Sequence, residues 1–412
     1  MEDSVRTEHV NPGLGWGGCV CFLAIDMKSS CFDYPYVVVG AGFFGCVIAE
    51  RIATVLGKPV LVLEKRSYIG GNSYSEFDEE TGIECHQHGS HIFHTKNRNV
   101  WEYILRFTSF TTYRHKVLLN SDGRVYHMPI NLKTINDFFE ASFSPSEAEA
   151  VIKAEVDKCA FPEPRNLEEK ACSLVGRGLY NRFVRGYTAK QWGRAPCELP
   201  ESIINRLPVR FTYNADYFDT PMQGVPTEGY GKIFDNLLSG NNITVMLNTD
   251  FFDIRESLSK DALVVYTGMI DRLFDNMYGE LEWRSLRLEW ETVGVGDFQG
   301  TTVMNYAGDD VPFTRIHEFK HYHPERRVPY ELSKTVVCRE YPQAYQEGRE
   351  AYYPVNSHAN HERLKRYQAE ASKQPNLFIG GRLGAYRYWD MDQAIEFALS
   401  MFDKIKGREA GQ

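Results

Sequence analysis

The 412-residue chain has no apolar run near the roughly 18 residues that a membrane-crossing helix requires. Val20 to Ile25 is a short apolar stretch, and it follows Glu2 and Asp3 rather than a basic segment, so it reads poorly as a secretory signal. Cysteine is sparse: nine thiols scattered over this length make no disulfide framework. The close pair Cys19 and Cys21 has no second pair or histidine run beside it, which argues against zinc. The expectation is reduced thiols in a cytoplasm. Positive charge is in deficit, with 46 Lys and Arg against 55 Asp and Glu, a net charge of -9. Nucleic acid or an anionic membrane is therefore no partner for the surface as a whole, although a local basic cleft stays open. Low-complexity segments and internal repeats are absent, and 43% hydrophobic with 25% charged residues is an ordinary globular composition. Aromatics, by contrast, are plentiful: 24 Tyr, 25 Phe and 6 Trp can fill cores or grip flat rings.

The clearest local signal starts at Tyr36. Tyr36 to Val39 is a β-branched run suited to a buried parallel strand. Gly40-Ala41-Gly42-Phe43-Phe44-Gly45 comes next, then a helical pattern from Cys46 to Leu56, a Gly57-Lys58-Pro59 stop, and a second strand, Val60 to Leu63, closed by Glu64. From about Asn131 to Pro200 the chain is rich in Glu, Lys, Ala and Leu, with helices expected over Pro145–Lys158 and Leu167–Phe183. Strands return at Thr301–Tyr306, Lys334–Cys338 and Asn376–Ile379, and Gln393–Ile405 reads as a closing helix.

The expected fold is α/β: a dinucleotide-binding Rossmann-like domain, an inserted helical-bundle domain and an antiparallel β-sheet domain. The expected division assigns 34–108, 238–275 and 374–412 to the first, 132–212 to the second, and 109–131, 213–237 and 276–373 to the third. Residues 1–33 read as an extension outside the fold, with Met27 as a candidate natural start.

Gly40, Gly42 and Gly45 form G-x-G-x-x-G between a strand and a helix. In that setting the first glycine permits the tight turn, the second admits a pyrophosphate to the backbone, and the third lets helix and strand pack closely. The helix N-terminus offers free N–H groups and a positive dipole end to the phosphates. Glu64 is placed to bind an unphosphorylated ribose, which favours FAD or NAD over NADP. The residues after Glu64 separate FAD from NAD. Glu64-Lys65-Arg66 leads to Ile69-Gly70-Gly71-Asn72, a second glycine pair that suits a flavoprotein, and Gly380-Gly381-Arg382 offers a further flavin contact ahead of a helix capped by Asp392. FAD is the expected cofactor.

His86, His88, His91 and His94 straddle a Gly-Ser turn that scatters their directions, so a wall beside the flavin suits them better than a metal site, and plain polar roles remain an alternative. Phe183 and Tyr187 share a helix face, with Trp192 beyond; at that spacing a stripe is more often core than ligand contact. Arg206 and Arg210 flank a segment expected to move, and Arg315, Arg382 and Arg387 lie near tyrosines. Taken singly each arginine suits a surface ion pair, whereas several guanidinium forks among phenols suit a diphosphate.

Three runs carry a resemblance: Gly186-Tyr187-Thr188-Ala189-Lys190-Gln191-Trp192, Arg206-Leu207-Pro208-Val209-Arg210-Phe211-Thr212-Tyr213-Asn214, and Gly381 to Asp392. With His91-Ile92-Phe93-His94-Thr95 and Val303-Met304-Asn305-Tyr306, they resemble bacterial UDP-galactopyranose mutases from about Tyr34 to the C-terminal helix. The resemblance implies UDP-galactose as substrate. Phe183 and Tyr187 would flank the uracil, with Asn305 in the same pocket, Trp192 near the sugar and Thr188 also binding substrate. Arg206, on a mobile loop, and Arg315 would hold the diphosphate with Tyr217, Tyr341 and Tyr388, Asp390 being close by. Gly40, Gly42, Phe43, Gly45, Glu64, Lys65, Gly71, Asn72, His88, His91, Arg382, Tyr388, Asp390 and Met391 would contact FAD.

The implied reaction is reversible conversion of UDP-galactopyranose to UDP-galactofuranose without net redox change, supplying galactofuranose for cell-surface glycans. No side-chain nucleophile–base pair or carboxylate dyad is evident, so the cofactor must carry the chemistry. In the family the N5 of reduced flavin forms a transient bond to the sugar. An external reductant such as NAD(P)H or a flavin reductase, and a homodimer or higher homo-oligomer, are also implied. A flavin oxidase or dehydrogenase and a non-catalytic binding module remain the other readings.

Overall fold

The short β-branched runs pair into one parallel sheet. Its strands are Tyr36–Val39 (β1), Val60–Leu63 (β2), Ile243–Met246, Leu263–Tyr266 and Leu377–Ile379, and its centre is β1, flanked by β2 and Leu263–Tyr266. The computed structural model describes residues 32–204 and 209–411. The proposed extension and start at Met27, the pair Cys19 and Cys21, and Arg206 lie outside them, save that Phe32 and Asp33 are described.

Both faces of this sheet are covered. Alternate residues Tyr36, Val38, Val60, Val62, Val245 and Val265 face a core built with the helices Phe43–Arg51 (α1), Tyr230–Leu237 and Met391–Ala410. Val37, Val39, Leu61 and Leu63 face a second core with Phe251 and Ile254. That period of two on a doubly covered sheet makes the runs apolar throughout. The helix Tyr230–Leu237 falls in a stretch grouped with the β-sheet unit from sequence, yet it buries Tyr230, Ile233, Phe234 and Leu237 in the first of these cores.

α1 starts three residues before the expected Cys46, because Phe43, Phe44 and Gly45 already take helical geometry after Gly42. It ends at Arg51 in a wider turn, Ile52–Leu56, stopped by Gly57 in the left-handed conformation. The last helix is capped by Asp390 rather than Asp392: the Asp390 N–H donates to the Gln393 side chain at 3.0 Å, the reciprocal contact of a capping box, and Asp392 lies in the first turn.

A second sheet holds seven strands, in the order Tyr353–Pro354, Trp283–Val293, Thr335–Ala344, Arg315–Glu318, Val303–Tyr306, Val117–Ser121 and Arg124–Met128. Every pairing is antiparallel except that of Met304–Tyr306 with Leu118–Asn120. Between residues 131 and 204 the chain is helical, with Pro145–Asp157, Leu167–Leu179 and Gly186–Trp192 as its principal elements. The expected helix Leu167–Phe183 breaks at Gly176 (φ 78°) and passes into a wide turn over Tyr180–Arg185. Gly186 then lies so close to the second sheet that a Cβ there would sit 2.1 Å from the Ala307 carbonyl oxygen. This contact seats the Tyr187–Trp192 turn beside the strands.

Candidate active site

One cavity of about 1520 Å³ runs from the glycine turn after β1 to the face of the second sheet. At its dinucleotide end the backbone itself forms the wall. A Cβ on Gly42 would sit 3.9 Å from the Gly71 Cα, and one on Gly71 (φ 59°) only 3.1 Å from the Gly42 Cα, so side chains here would fill a narrow cradle. No side chain caps α1, which leaves its first N–H groups for an anion. Glu64 accepts hydrogen bonds from the Ala41 N–H at 2.8 Å and the Arg66 N–H at 3.0 Å, and so stiffens the turn. Two acceptor positions of its carboxylate are used, and others remain for a ribose. These features fit a dinucleotide. Lys65 and Asn72 lie on the same wall.

The four histidines have four different settings. The His86 ring stacks on Tyr322 at 5.0 Å, His88 bonds Tyr68 at 2.8 Å and Tyr352 at 3.0 Å, His91 Nδ1 meets the Gly89 carbonyl at 2.8 Å, and His94 stacks on Phe218 at 3.6 Å. Burial pushes His86 down to about 4, and His88 and His91 to about 3, so these three rings are neutral at pH 7. His88, His91 and His94 line the cavity.

Strand register builds the opposite end. Leu119, Asn305, Arg315 and Glu340 are successive cross-strand partners, so their side chains share one face of the sheet, and all line the cavity. Val303 and His317 form the next row. Arg315 is positioned by Tyr187, whose hydroxyl receives a guanidinium hydrogen bond, and by Glu340, 3.6 Å from its Nε. Burial would raise the Glu340 carboxyl, but the Arg315 charge and the His317 hydrogen bond outweigh it and hold the pKa below the ordinary value.

Tyr217 and Tyr388 expose 44% and 40% of their surface, and both line the cavity. Arg382 lies over the Tyr388 ring, 4.5 Å from its centroid, and donates to the Trp389 carbonyl. Asp390 stands 4.0 Å from His94, with Met391 next along the same wall. Tyr187, Thr188 and Trp192 line the cavity from the helical side. Phe183 reaches the wall too but is only 2% exposed, packed on Tyr126 and Phe138, so in this conformation it is chiefly a core residue.

Tyr341 is not among the residues lining the cavity. It pairs with Arg287, one position along from Glu340, so alternation turns it to the far face, under the Arg287 guanidinium at 4.0 Å. Tyr353 is on the cavity side instead. That residue lines the cavity 5.3 Å from the Tyr388 ring, and burial, followed by the charge of Glu340, raises its pKa.

A family model described as "GLF: UDP-galactopyranose mutase" matches residues 182–388, and one for an NAD(P)-binding Rossmann-like domain matches 38–107. The Klebsiella pneumoniae protein named "Probable UDP-galactopyranose mutase" is 40% identical over 91% of this chain and 96% of its own length. The chain belongs to the UDP-galactopyranose mutase family. It is therefore an enzyme of the isomerase class. An Escherichia coli dTDP-fucopyranose mutase is 37% identical over 88% of this chain and 96% of its own, and a UDP-galactopyranose mutase of Mycoplasma pneumoniae 31% over 90% and 96%. Among solved structures, a reduced UDP-galactopyranose mutase superposes with a TM-score of 0.66 at 16% identity, covering 91% of this chain and 96% of that one. Putrescine oxidase bound to putrescine gives 0.54 at 11%, covering 91% and 99%, which shows a shared fold.

In this member of the mutase family the cavity is also lined by His317, Glu340 and Tyr353, which no sequence motif marks. For Glu340 a signal existed: extending the strand from Val336 through Cys338 with a period of two puts Glu340 on the inward face and Tyr341 outside. The same period of two carried from Arg315 puts His317 on the inward face, whereas nothing local marks Tyr353, because its place depends on which strands pair.

Proposed function

We propose that the protein interconverts UDP-galactopyranose and UDP-galactofuranose with reduced FAD as its cofactor. The observation that carries this reading is the single cavity joining the Gly42–Gly71 cradle to the Arg315, Tyr353 and Tyr388 cluster. Reduced flavin, when bound, supplies the nucleophilic centre that the side chains lack. Gly40, Gly42, Phe43, Gly45, Glu64, Lys65, Gly71, Asn72, His88, His91, Arg382 and Met391 would hold it.

The chain's own residues bind and orient. Arg315, with Arg206, takes the diphosphate, where negative charge grows as the anomeric bond breaks. Tyr217, Tyr353 and Tyr388 donate to phosphate oxygens, and Asp390 stands beside them. Tyr187, Thr188 and Asn305 form the uridine pocket with Phe183 packed behind them, and Trp192 sits toward the sugar. The Asn305 Oδ1 is buried with no hydrogen-bond partner among the described residues, as a ligand-directed acceptor would be. The neutral rings of His88 and His91 line the cofactor side without adding charge.

The reading extends to a cytoplasmic homodimer, an external reductant such as NAD(P)H or a flavin reductase, and galactofuranose supply for surface glycans. No helix among the described residues is long and apolar enough to cross a membrane. Chromatography of UDP-galactofuranose incubated with dithionite-reduced holoenzyme tests the reaction: UDP-galactopyranose must form over many turnovers per flavin. The 37% identity to a dTDP-fucopyranose mutase supports a second reading, in which a dTDP-6-deoxysugar is preferred. Running dTDP-fucofuranose in parallel decides by the ratio of kcat/KM values.

A further inference from the structure

We propose that His317 is a positioning residue for Arg315, acting through Glu340. The inference rests on the reading that Arg315 binds the diphosphate of the substrate. Arg315 and Glu340 are directly opposed on paired strands, and His317 lies two residues beyond Arg315 on the same face. The Arg315 Nε and the Glu340 Oε1 make no hydrogen bond among the described residues, although they stand 3.6 Å apart. Charge attraction alone therefore links them. The orientation of the Glu340 carboxylate must come from its other oxygen, and that oxygen meets His317 Nε2 at 3.2 Å.

His317 is fully buried, and its Nδ1 meets the Ser90 hydroxyl at 2.5 Å. A carboxylate only accepts, so Nε2 carries the proton toward Glu340; in the neutral ring Nδ1 then accepts from Ser90. Burial favours that neutral ring, lowering the His317 pKa despite its bond to Glu340. Ser90 lies in the turn between His88 and His91, on the cofactor side of the cavity. The chain Ser90, His317, Glu340, Arg315, Tyr187 thus ties the guanidinium that awaits the diphosphate to the wall that awaits the flavin. Without the imidazole, Glu340 is free to turn or to take a proton, and Arg315 loses its fixed counter-charge.

UDP affinity of the FAD-loaded enzyme, titrated calorimetrically, tests this. Asparagine reaches the Nδ1 position but not Glu340, whereas glutamine keeps a donor near the Nε2 position. His317→Asn is expected to weaken UDP about tenfold with flavin content unchanged, and His317→Gln to recover to within about threefold of the parent. In an Arg315→Ala background the His317→Asn effect should vanish, because it acts only through the guanidinium. An equal loss in both backgrounds, or none in the parent, overturns the proposal. If His317→Asn does not fold, Ser90→Ala carries the test with an expected loss of about threefold that also vanishes without Arg315. UDP binding that requires Arg315 but ignores Ser90 and His317 overturns this proposal alone. Failure of the wild-type holoenzyme to bind UDP overturns the functional reading, and this proposal with it.

Discussion

Arg66 pairs with Glu350 across 284 positions of sequence, joining the turn after β2 to the segment that leads into Tyr352 and Tyr353. The same guanidinium donates to Asn72 at 2.8 Å, and both partners line the cavity. Burial alone would raise the Glu350 carboxyl, but the Arg66 charge outweighs it and holds the pKa below its ordinary value. Glu350→Gln is expected to weaken FAD retention by about 0.5–1 kcal/mol, the size of a partly exposed ion pair. Fluorescence titration of the apoprotein measures it, and an unchanged Kd would show that the pair does not guard the cofactor.

Gly42→Ala separates folding from cofactor binding. Gly42 has φ −80°, and an added Cβ meets the Gly71 Cα at an ordinary 3.9 Å, so the apoprotein should keep its Tm. The methyl would nevertheless stand where a pyrophosphate must approach, and flavin affinity should fall at least about tenfold. Full flavin occupancy in the purified variant would refute the cradle.

Arg315→Ala should lower kcat/KM by about 2–4 kcal/mol, the range for loss of a donor aimed at developing charge. Near-normal turnover would remove Arg315 from the chemistry.

Two tyrosines offer a paired contrast. Tyr353→Phe should cost about 0.5–1.5 kcal/mol in kcat/KM, as one lost hydrogen bond does, whereas Tyr341→Phe should be silent to within about twofold. The reverse pattern would place Tyr341, not Tyr353, against the substrate.

Stability should decline early in acid. His86, His88 and His91 have folded pKa values lowered to about 4, 3 and 3. Unfolded histidine titrates near 6.5. Between those values the unfolded chain binds more protons, so the contribution is present above about pH 6.5 and is lost as pH falls toward the folded values. Burial would raise Glu84, but its contact with His323 at 3.3 Å and the charge of His86 lead the opposing effects and hold it at about 2, so it adds a loss of the same sign below the ordinary carboxylate range. Tm of the apoprotein should fall steadily from pH 7 to pH 4, beginning before any carboxylate titrates. A flat Tm between pH 7 and pH 5 would contradict the neutral, buried state of these rings.

The β1–α1–β2 unit was legible because its signals are local. Apolar runs bury themselves on both faces of a sheet, and glycines fix a turn, regardless of the rest of the chain. Family membership was legible from motifs that survive as contiguous strings. For the cap of the last helix a local signal existed: Gln393 stands three residues after Asp390 and completes a capping box, whereas Ile395 in the same place after Asp392 cannot.

Sequence alone therefore determined the glycine turn after β1, the clustering of four histidines between positions 86 and 94, and the motif strings that mark the family. Tertiary structure decided which side chains meet. The row Asn305, Arg315, Glu340 exists because three successive strands pair in one register, and a shift of one residue would turn that row to the opposite face. Register is set by the whole sheet and its packing. No local pattern could have put Tyr353 beside Tyr388, and only the pairing of strands brings His317 to Glu340.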